Sequence, residues 1–244
     1  TPIRPVPTSF PPFGSMAIIQ SLREIGVDSQ FFNIDYHRPS DDEVRNFFAE
    51  GKFDIVGISA VVSTAYAYTK KLAMWIREDL PQTTIIVGGN LAASAEILLR
   101  KSEVDYCIIG DGEKTIQNLV SYLGDEEASE DELLAVPGIA FIDKSNNFQL
   151  TGYAIPPAKN EISWPDYGIL EEDGSLNHFI TDGVGEEFYG MLSEMEGKGK
   201  RTAYVISTKG CVARCTFCHR WERGYRAKPT DQTIAHIEHL RDKY

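Results

Sequence analysis

The sequence predicts an α/β fold built on a doubly wound parallel sheet, because strand and helix patterns alternate through its first half. The strands are short apolar runs rich in Val and Ile. Two of them end in turns that contain two glycines each. Ligands of such sheets bind beyond the carboxyl ends of the strands, so the turns after the strands are candidate ligand loops.

The first half begins with a helix at 16–25 that ends at Gly26, and a short strand follows at 31–34. Ser40 and Glu43 form a capping-box pattern that opens the next helix. The run 54–62 has the continuous apolar character of a strand that is buried on both faces. The elements predicted after it are a helix at 65–80, a strand at 84–87, a helix through 97–98, a strand at 104–109 and a helix up to 122.

The second half is less regular. A hairpin is predicted from 138–142 and 148–150, a connector spans 151–202, and a strand at 203–207 precedes a helix capped by Thr230. These patterns divide the chain into three parts, which are 1–135, 136–202 and 203–244. The chain opens with a proline-rich loop, and we expect the sheet's first strand to lie upstream of it.

Composition excludes several classes of function. The net charge of −12 disfavours a nucleic-acid partner. No apolar run approaches the ~20 residues of a membrane-spanning helix, and no export leader is visible. The chain has four cysteines, and three of them are clustered. A disulfide framework would distribute them in pairs, so we expect a reducing cytoplasm.

Three turns follow predicted strands and should meet at one edge of the sheet. Their glycines would let a large ligand approach the backbone, although tight turns between strand and helix also use glycine. The candidate binding residues are Ser59, Ala60, Val61 and Ser63 in the first turn, Gly88, Gly89 and Asn90 in the second, and Gly110, Asp111, Gly112 and Glu113 in the third.

The cysteine loop carries the most specific signal. Cys211, Cys215 and Cys218 follow a CxxxCxxC spacing. Three thiolates can hold three irons of a [4Fe-4S] cube, which usually takes four cysteines, and leave one iron open. A structural zinc site would need His219 as its fourth ligand, next to Cys218. An electron-carrier cluster would need Cys107, which lies in an apolar strand and is interpreted as a core residue.

The cysteine spacing, with the aromatic Phe217 before the third cysteine, resembles the radical S-adenosylmethionine superfamily. The resemblance implies that the three cysteines ligate a [4Fe-4S] cluster and that S-adenosylmethionine binds the open iron. Reductive cleavage would then give a 5′-deoxyadenosyl radical, and Phe217 would lie beside the adenine. The last part of the chain would be the first strand–loop–helix unit of a partial (β/α) barrel.

The first half resembles the flavodoxin-like (Rossmann-type) cobalamin-binding domain of one radical subclass. That domain carries Ser-x-Leu after one strand and Gly-Gly after the next, and here 59–61 and 88–89 hold those places, with Val61 instead of Leu. The turn 110–113 resembles the family's Gly-x-Gly-Glu turn. The resemblance implies that Ser59 and the glycines contact the nucleotide tail of cobalamin. His37 follows the wrong strand for a cobalt ligand and is interpreted as a surface residue.

The resemblance implies a cobalamin-dependent radical enzyme whose leading activity is methyl transfer to an unactivated centre. Ring formation or rearrangement is the alternative, and a non-catalytic cobalamin module or an iron–sulfur protein remains open. The substrate would be a small molecule or peptide, and the electron donor a flavodoxin or ferredoxin. Arg220, Arg223, Arg226 and Lys228 could neutralise the cluster, dock the reductase, or form a solvated loop. We expect the 244-residue chain to be inactive alone and poorly soluble, because the strand at 203–207 would have unpaired edges.

Overall fold

The computed structural model describes residues 7–182, 201–216, 218 and 224–244. Its largest feature is one sheet of five strands, ordered in space as they are in the sequence. The first three strands run parallel, and the last two pair antiparallel. These strands are β1 (Ile55–Ser59), β2 (Thr84–Gly88), β3 (Tyr106–Ile108), β4 (Ile139–Ile142) and β5 (Phe148–Leu150).

Helices surround the sheet, and two small antiparallel pairs lie outside it. The helices in the described residues are α1 (Phe13–Glu24), α2 (Ile34–His37), α3 (Asp41–Gly51), α4 (Tyr66–Asp79), α5 (Ala95–Lys101), α6 (Gly112–Leu123), α7 (Glu130–Ala135), α8 (Gly168–Asp173), α9 (Leu176–Phe179) and α10 (Thr230–Lys243). Short 3₁₀ turns occupy Ser63–Ala65, Asn90–Ser94 and Lys159–Glu161. The outlying pairs join β6 (Thr181–Asp182) to β7 (Arg201–Thr202), and β8 (Thr208–Cys211) to β9 (Gly224–Ala227).

The sheet is covered on both faces because successive side chains of a strand point in opposite directions. On one face, Ile85 and Val87 of β2 are fully buried in a cluster with residues of α4 and α5. On the other face, Ile86 packs with Ile108 and with Leu119 of α6. The α/β fold predicted from the alternating patterns is therefore confirmed.

A third apolar cluster joins the second half of the chain to α1. Met16 of α1 packs with Tyr167, Phe179 and Leu240, all nearly inaccessible to solvent. Leu240 belongs to α10, so the helix that follows the cysteine loop is anchored on the first helix of the chain. This packing fixes where the cysteine segment leaves and rejoins the body of the protein.

Several local predictions are confirmed. Ser40 and Glu43 form a reciprocal capping box at the start of α3. Gly26 has a φ of +78° directly after the end of α1. The predicted hairpin is present as β4 and β5, and its turn includes Asn146 with a φ of +65°. Local turn and cap chemistry therefore identified these boundaries correctly.

The hairpin changes the character of the sheet. Because β4 pairs antiparallel with β3, the sheet is mixed rather than wholly parallel and continues past residue 135. The division of the chain at 135 and 202 stays a prediction. The run 54–62 is a strand only over β1, which lies at the end of the sheet order, and its residues Gly57 and Ser59 are exposed. The prediction of a strand buried on both faces was therefore wrong.

The strand predicted at 31–34 is absent from the structure. Asn33 instead caps the short helix α2, since its side chain accepts a hydrogen bond from the Tyr36 N–H at 3.2 Å. The backbone N–H of Asn33 donates to Asp173 Oδ1 at 3.0 Å. Side chains thus occupy the backbone groups that a strand ladder would use.

The strand predicted at 203–207 is also absent. The Tyr167 hydroxyl donates to the Tyr204 carbonyl at 2.8 Å and accepts from the Tyr204 N–H at 3.1 Å. One side chain therefore takes both backbone groups of Tyr204, and the regular strand begins only at Thr208. The expectation of poor solubility from open strand edges at 203–207 loses its basis.

The last helix begins differently from the prediction. Pro229 occupies the N-cap position of α10, and Thr230 is its first helical residue without capping it. Among the apolar residues of α10, Leu240 is buried while Ile234 and Ile237 are half exposed. Among the described residues, no helix has the length and apolar character needed to cross a membrane.

Candidate functional site

The first two candidate loops meet at the carboxyl ends of β1 and β2. Ser59 is the register partner of Gly88. Beyond that pair, the Ala60 N–H donates to the Gly88 carbonyl at 3.0 Å, and the Leu91 N–H donates to the Ala60 carbonyl at 2.9 Å. The sequence motifs 59–61 and 88–89 therefore form one continuous surface, as the parallel pairing of their strands requires.

Gly89 is required by this junction. Its φ is +84°, a conformation that L side chains rarely adopt. A Cβ at this position would lie 2.6 Å from the Ala60 carbonyl oxygen. The second glycine of the pair therefore permits the close approach of two backbones, a structural task that it performs whether or not a ligand is bound.

Gly88 and Gly57 differ from Gly89, because a Cβ on either would meet no atom within 4 Å. Gly57 lies two residues before Ser59 on β1, so both residues belong to the same face, and both are exposed. Together with Gly88 they form an open, side-chain-poor floor. Gly57 was missed from the sequence, although its spacing of two from Ser59 could have indicated it.

The rim of this floor is partly apolar. Val61 and Val62 are 59% and 46% exposed, and Ser63 and Asn90 are also exposed. Exposed apolar side chains beside an open backbone surface are typical of a binding groove for a large ligand. The floor and rim leave backbone accessible to an elongated group, and the predicted contact of Ser59 and Gly88 with cobalamin stays a prediction.

The third loop, 110–113, is built around the protein's own chain. Gly110 has a φ of +109°, and a Cβ there would lie 3.1 Å from the Ala154 Cβ. A Cβ on Gly112 would lie 2.9 Å from Ile18 Cδ1 of α1. These glycines therefore make room for residues 154 and 18. Their predicted contact with cobalamin stays a prediction.

The acidic residues of this loop face the cysteine segment. Asp111 contacts Lys209 at 3.4 Å and Arg226 at 3.1 Å, and Glu113 forms a short ion pair with Lys209. The four side chains are only 14–22% exposed. Burial lowers the pKa of Lys209, but the charges of Glu113 and Asp111 outweigh it and hold the pKa above its usual value.

Cys211 ends β8, and Cys215 and Cys218 follow in the loop. All three thiols are exposed. The Ala213 N–H points at Cys211 Sγ, 3.4 Å away, and the Cys218 N–H donates to the Cys215 carbonyl at 3.3 Å. In the described ranges, no three His, Cys, Asp or Glu side chains converge as a metal site would require. The described part of the loop thus carries three exposed thiols, and its backbone forms a turn between Cys215 and Cys218.

Cys107 is unsuited to ligation. It is fully buried in β3, and burial raises the pKa of its thiol to about 12. The interpretation of Cys107 as a core residue is confirmed. The predicted roles of Phe217 and of His219 as a zinc ligand lie outside the described residues, as do Arg220 and Arg223.

Two buried basic side chains, Lys228 after β9 and His236 of α10, lie together beside Trp164. Lys228 and His236 are 5% and 1% exposed, and both lie against the Trp164 ring, at 5.5 Å from the Lys228 Nζ and 5.2 Å between ring centroids. Among the described residues, neither the Lys228 Nζ nor the His236 ring nitrogens have a hydrogen-bond partner. Burial lowers the pKa of Lys228. Burial, Lys228 and the neighbouring His239 lower the pKa of His236 to about 4.

The other histidines have ordinary contacts. His37 lies 3.2 Å from Asp173, and His178 Nε2 lies 2.8 Å from the Thr8 carbonyl. The sequence alone does not reveal the burial of His236, because its partner Trp164 lies 72 positions earlier in the chain.

Comparisons with known proteins agree with this arrangement. Residues 3–120 match the B12 binding domain family. The chain is 26% identical to the cytidylyl-2-hydroxyethylphosphonate methyltransferase of Streptomyces wedmorensis over 84% of this chain and 40% of the relative. It is 23% identical to the anaerobic magnesium-protoporphyrin IX monomethyl ester cyclase of Synechocystis sp., over 89% of this chain and 39% of the relative.

Solved structures show the same fold. The structure of the cobalamin-dependent S-adenosylmethionine radical enzyme OxsB with aqua-cobalamin and S-adenosylmethionine bound matches 94% of this chain and 29% of OxsB. The TM-score is 0.70 at 18% identity. The apo, selenomethionine-labelled OxsB structure matches with a TM-score of 0.68, also at 18% identity. The chain spans about two fifths of the length of the curated relatives that it matches.

The fold and the first two loops place an open backbone surface at the carboxyl edge of a mixed α/β sheet. The match of residues 3–120 to the B12 binding domain family and the similarity to these relatives agree with the resemblance predicted from the sequence.

Proposed function

We propose that the chain binds cobalamin on the floor formed by Gly57, Ser59 and Gly88, and a [4Fe-4S] cluster through Cys211, Cys215 and Cys218. The observation that carries the proposal is the pairing of two features in one fold. An open glycine floor lies at the carboxyl edge of the sheet, and three exposed thiols lie in a loop whose base is tied by ion pairs to the same sheet.

The donor set favours iron–sulfur binding over a zinc site. Three thiols lie within eight positions, while Cys107, the fourth cysteine, is buried with a pKa of about 12. Three thiolates leave one iron of a cube open for the amine and carboxylate of S-adenosylmethionine. When bound, these groups would supply one-electron cleavage of S-adenosylmethionine next to a corrin. Free thiols need a reducing compartment, for which we propose the cytoplasm.

For the whole protein we propose methyl transfer to an unactivated centre of a small molecule or peptide. The relative from Streptomyces wedmorensis, named as a methyltransferase, supports this choice. A second candidate is ring formation, supported by the relative from Synechocystis that is named as a cyclase. A flavodoxin or ferredoxin would deliver the electron, since the cluster must be reduced once for each cleavage.

Anaerobic reconstitution of the 244-residue chain with iron and sulfide tests the cluster. After reduction with dithionite we expect a [4Fe-4S] EPR signal that changes when S-adenosylmethionine is added. Stoichiometric zinc, or a signal that S-adenosylmethionine leaves unaltered, would contradict the radical enzyme.

Titration with hydroxocobalamin, followed by the visible spectrum, tests the corrin site separately. We expect a bound corrin in a 1:1 complex. Absence of binding by the natural chain would remove the support for the Ser59 and Gly88 assignment while leaving the cluster assignment standing.

A further inference from the structure

The hairpin that carries Cys211 has an unusual pair of like charges at its base. Lys209 of β8 and Arg226 of β9 are register partners, directly opposite each other across the ladder. Like charges in this position destabilise a strand pair, because the side chains lie on the same face a few ångströms apart. Acidic side chains beside the pair would offset this repulsion.

One turn of the sheet domain supplies such side chains. Asp111 bridges the pair, with Oδ1 3.4 Å from the Lys209 Nζ and Oδ2 3.1 Å from the Arg226 Nη2. Glu113 makes a second, short ion pair with Lys209. All four groups are largely shielded from solvent, so salt screens them less than it screens surface pairs.

The sequence positions make the arrangement specific. Asp111 directly precedes α6 and Glu113 lies in its first turn, following β3 at the carboxyl edge of the sheet. Lys209 lies two residues before Cys211. The acidic turn contacts the Lys209 side chain, and Cys211 follows two residues later in β8. The position of the turn therefore constrains the position of Cys211.

We infer that Asp111 and Glu113 are positioning residues for the cysteine loop, which they hold at the carboxyl edge of the sheet where the corrin would bind. The inference deepens the proposed function and rests on it, since positioning matters only if the cysteines carry the cluster. It assigns to this acidic turn a role in aligning the two cofactor sites. It also places Arg226 within the protein's own ion-pair network rather than in a docking surface for a reductase.

Charge reversal and charge exchange test the inference. The variants are Glu113→Lys, Lys209→Glu and the double exchange Glu113→Lys/Lys209→Glu. The matched control is Glu96→Lys, which makes the same charge change in the exposed pair of Glu96 with Arg100 on α5. Each chain is reconstituted anaerobically and measured for iron content, for the EPR change on adding S-adenosylmethionine, and for the dissociation constant of hydroxocobalamin.

We expect each single reversal to lower the fraction of clusters that respond to S-adenosylmethionine at least threefold, while the dissociation constant of hydroxocobalamin changes less than twofold. The double exchange should recover more than half of the response, and Glu96→Lys should behave as the natural chain. A purely structural loss would not be restored by exchanging the two charges. If the double exchange is no better than the single variants, or if Glu113→Lys weakens corrin binding tenfold with the cluster response intact, the inference is wrong.

Hydrogen exchange of the cofactor-free chain separates this result from failure of the proposed function. The Lys209 amide in β8 should exchange at least tenfold faster in each single variant than in the natural chain, and near the natural rate in the double exchange. If the natural chain holds no cluster, the proposed function fails and the exchange data still decide whether the acidic turn holds the hairpin. Unchanged exchange in the single variants would overturn the inference itself.

Discussion

The backbone at Gly89 and the carbonyl oxygen of Ala60 approach so closely that a Cβ on residue 89 would lie 2.6 Å from that oxygen. The contact joins the two loops that form the candidate corrin floor. A side chain cannot be added at residue 89 unless one loop moves, because the obstructing atom belongs to backbone.

Replacement of Gly89 by Ala should therefore destabilise the protein by about 2 kcal/mol, from the positive φ together with the clash. Gly26→Ala provides a matched control, because Gly26 has a similar φ of +78° with nothing within 4 Å of its Cβ position. Urea unfolding of both variants measures the difference. Equal losses of stability would mean that the approach to Ala60 is not the limiting contact.

Replacement of Gly88 by Val should weaken corrin binding at least tenfold while leaving the free energy of unfolding within about 1 kcal/mol. A Cβ at residue 88 meets no atom within 4 Å, so we expect the new side chain to project into the open space above the floor. Thr84→Val, at the opposite end of β2, is the control and should leave binding unchanged. Hydroxocobalamin titration and urea unfolding measure the two effects, and unaltered binding by Gly88→Val would place the corrin elsewhere.

Replacement of Cys215 by Ala should reduce the iron bound per reconstituted chain at least fivefold, since two thiolates cannot hold a cube in its site-differentiated form. Cys107→Ala should retain the iron and lose about 1 kcal/mol of stability, because it only removes a buried sulfur from the core. Iron and sulfide assays of both variants decide the matter. Loss of iron from Cys107→Ala would point to a fourth ligand.

Acid should weaken the protein through His236. Its pKa is about 4 in the folded chain and near 6.5 when unfolded, so the unfolded state binds the proton first as the pH falls. Stability is therefore fully present above pH 6.5 and declines toward pH 4, by an amount on the order of 1–3 kcal/mol. His236→Phe, which keeps a ring against Trp164, should lose this part of the pH dependence. His239→Gln, an exposed neighbour, should keep most of it, and unfolding curves from pH 4 to 8 distinguish the two.

Replacement of Lys228 by Met should raise the free energy of unfolding by about 1 kcal/mol. The ammonium group is buried without a hydrogen-bond partner in the described part of the chain, and Met keeps the apolar contact with Trp164. The same change should move the pKa of His236 upward, because the Lys228 charge helps to lower it. NMR titration of the His236 ring measures the shift, and a destabilised variant would indicate that the Lys228 charge has a stabilising role.

The sequence predicted those parts of the molecule that depend on local patterns. The core strands at 84–87 and 104–109, the Ser40 capping box and the turn at 146 all follow from residues that are neighbours in the chain. The strand predicted at 203–207 failed because Tyr167, 37 positions away, takes the backbone groups of Tyr204. Apolar composition alone cannot show where a backbone hydrogen bond will go.

The candidate site likewise has parts that the sequence predicted and parts that it could not predict. The motifs at 59–61 and 88–89 were recognisable, and the parallel sheet predicts that they meet. Gly57 was detectable only through the two-residue period of β1. The ion pairs of Asp111 and Glu113 with Lys209 and Arg226 join residues about 100 positions apart, so no spacing rule reveals them.

The like-charged base of the β8–β9 hairpin also makes its attachment depend on the sheet. Asp111 and Glu113 offset the repulsion between Lys209 and Arg226, and both acids are placed by the turn between β3 and α6. All five strands of the sheet precede the three cysteines in the sequence. If the cysteines hold the proposed cluster, a chain with a misfolded sheet would lack the ion pairs that tie their hairpin to the sheet.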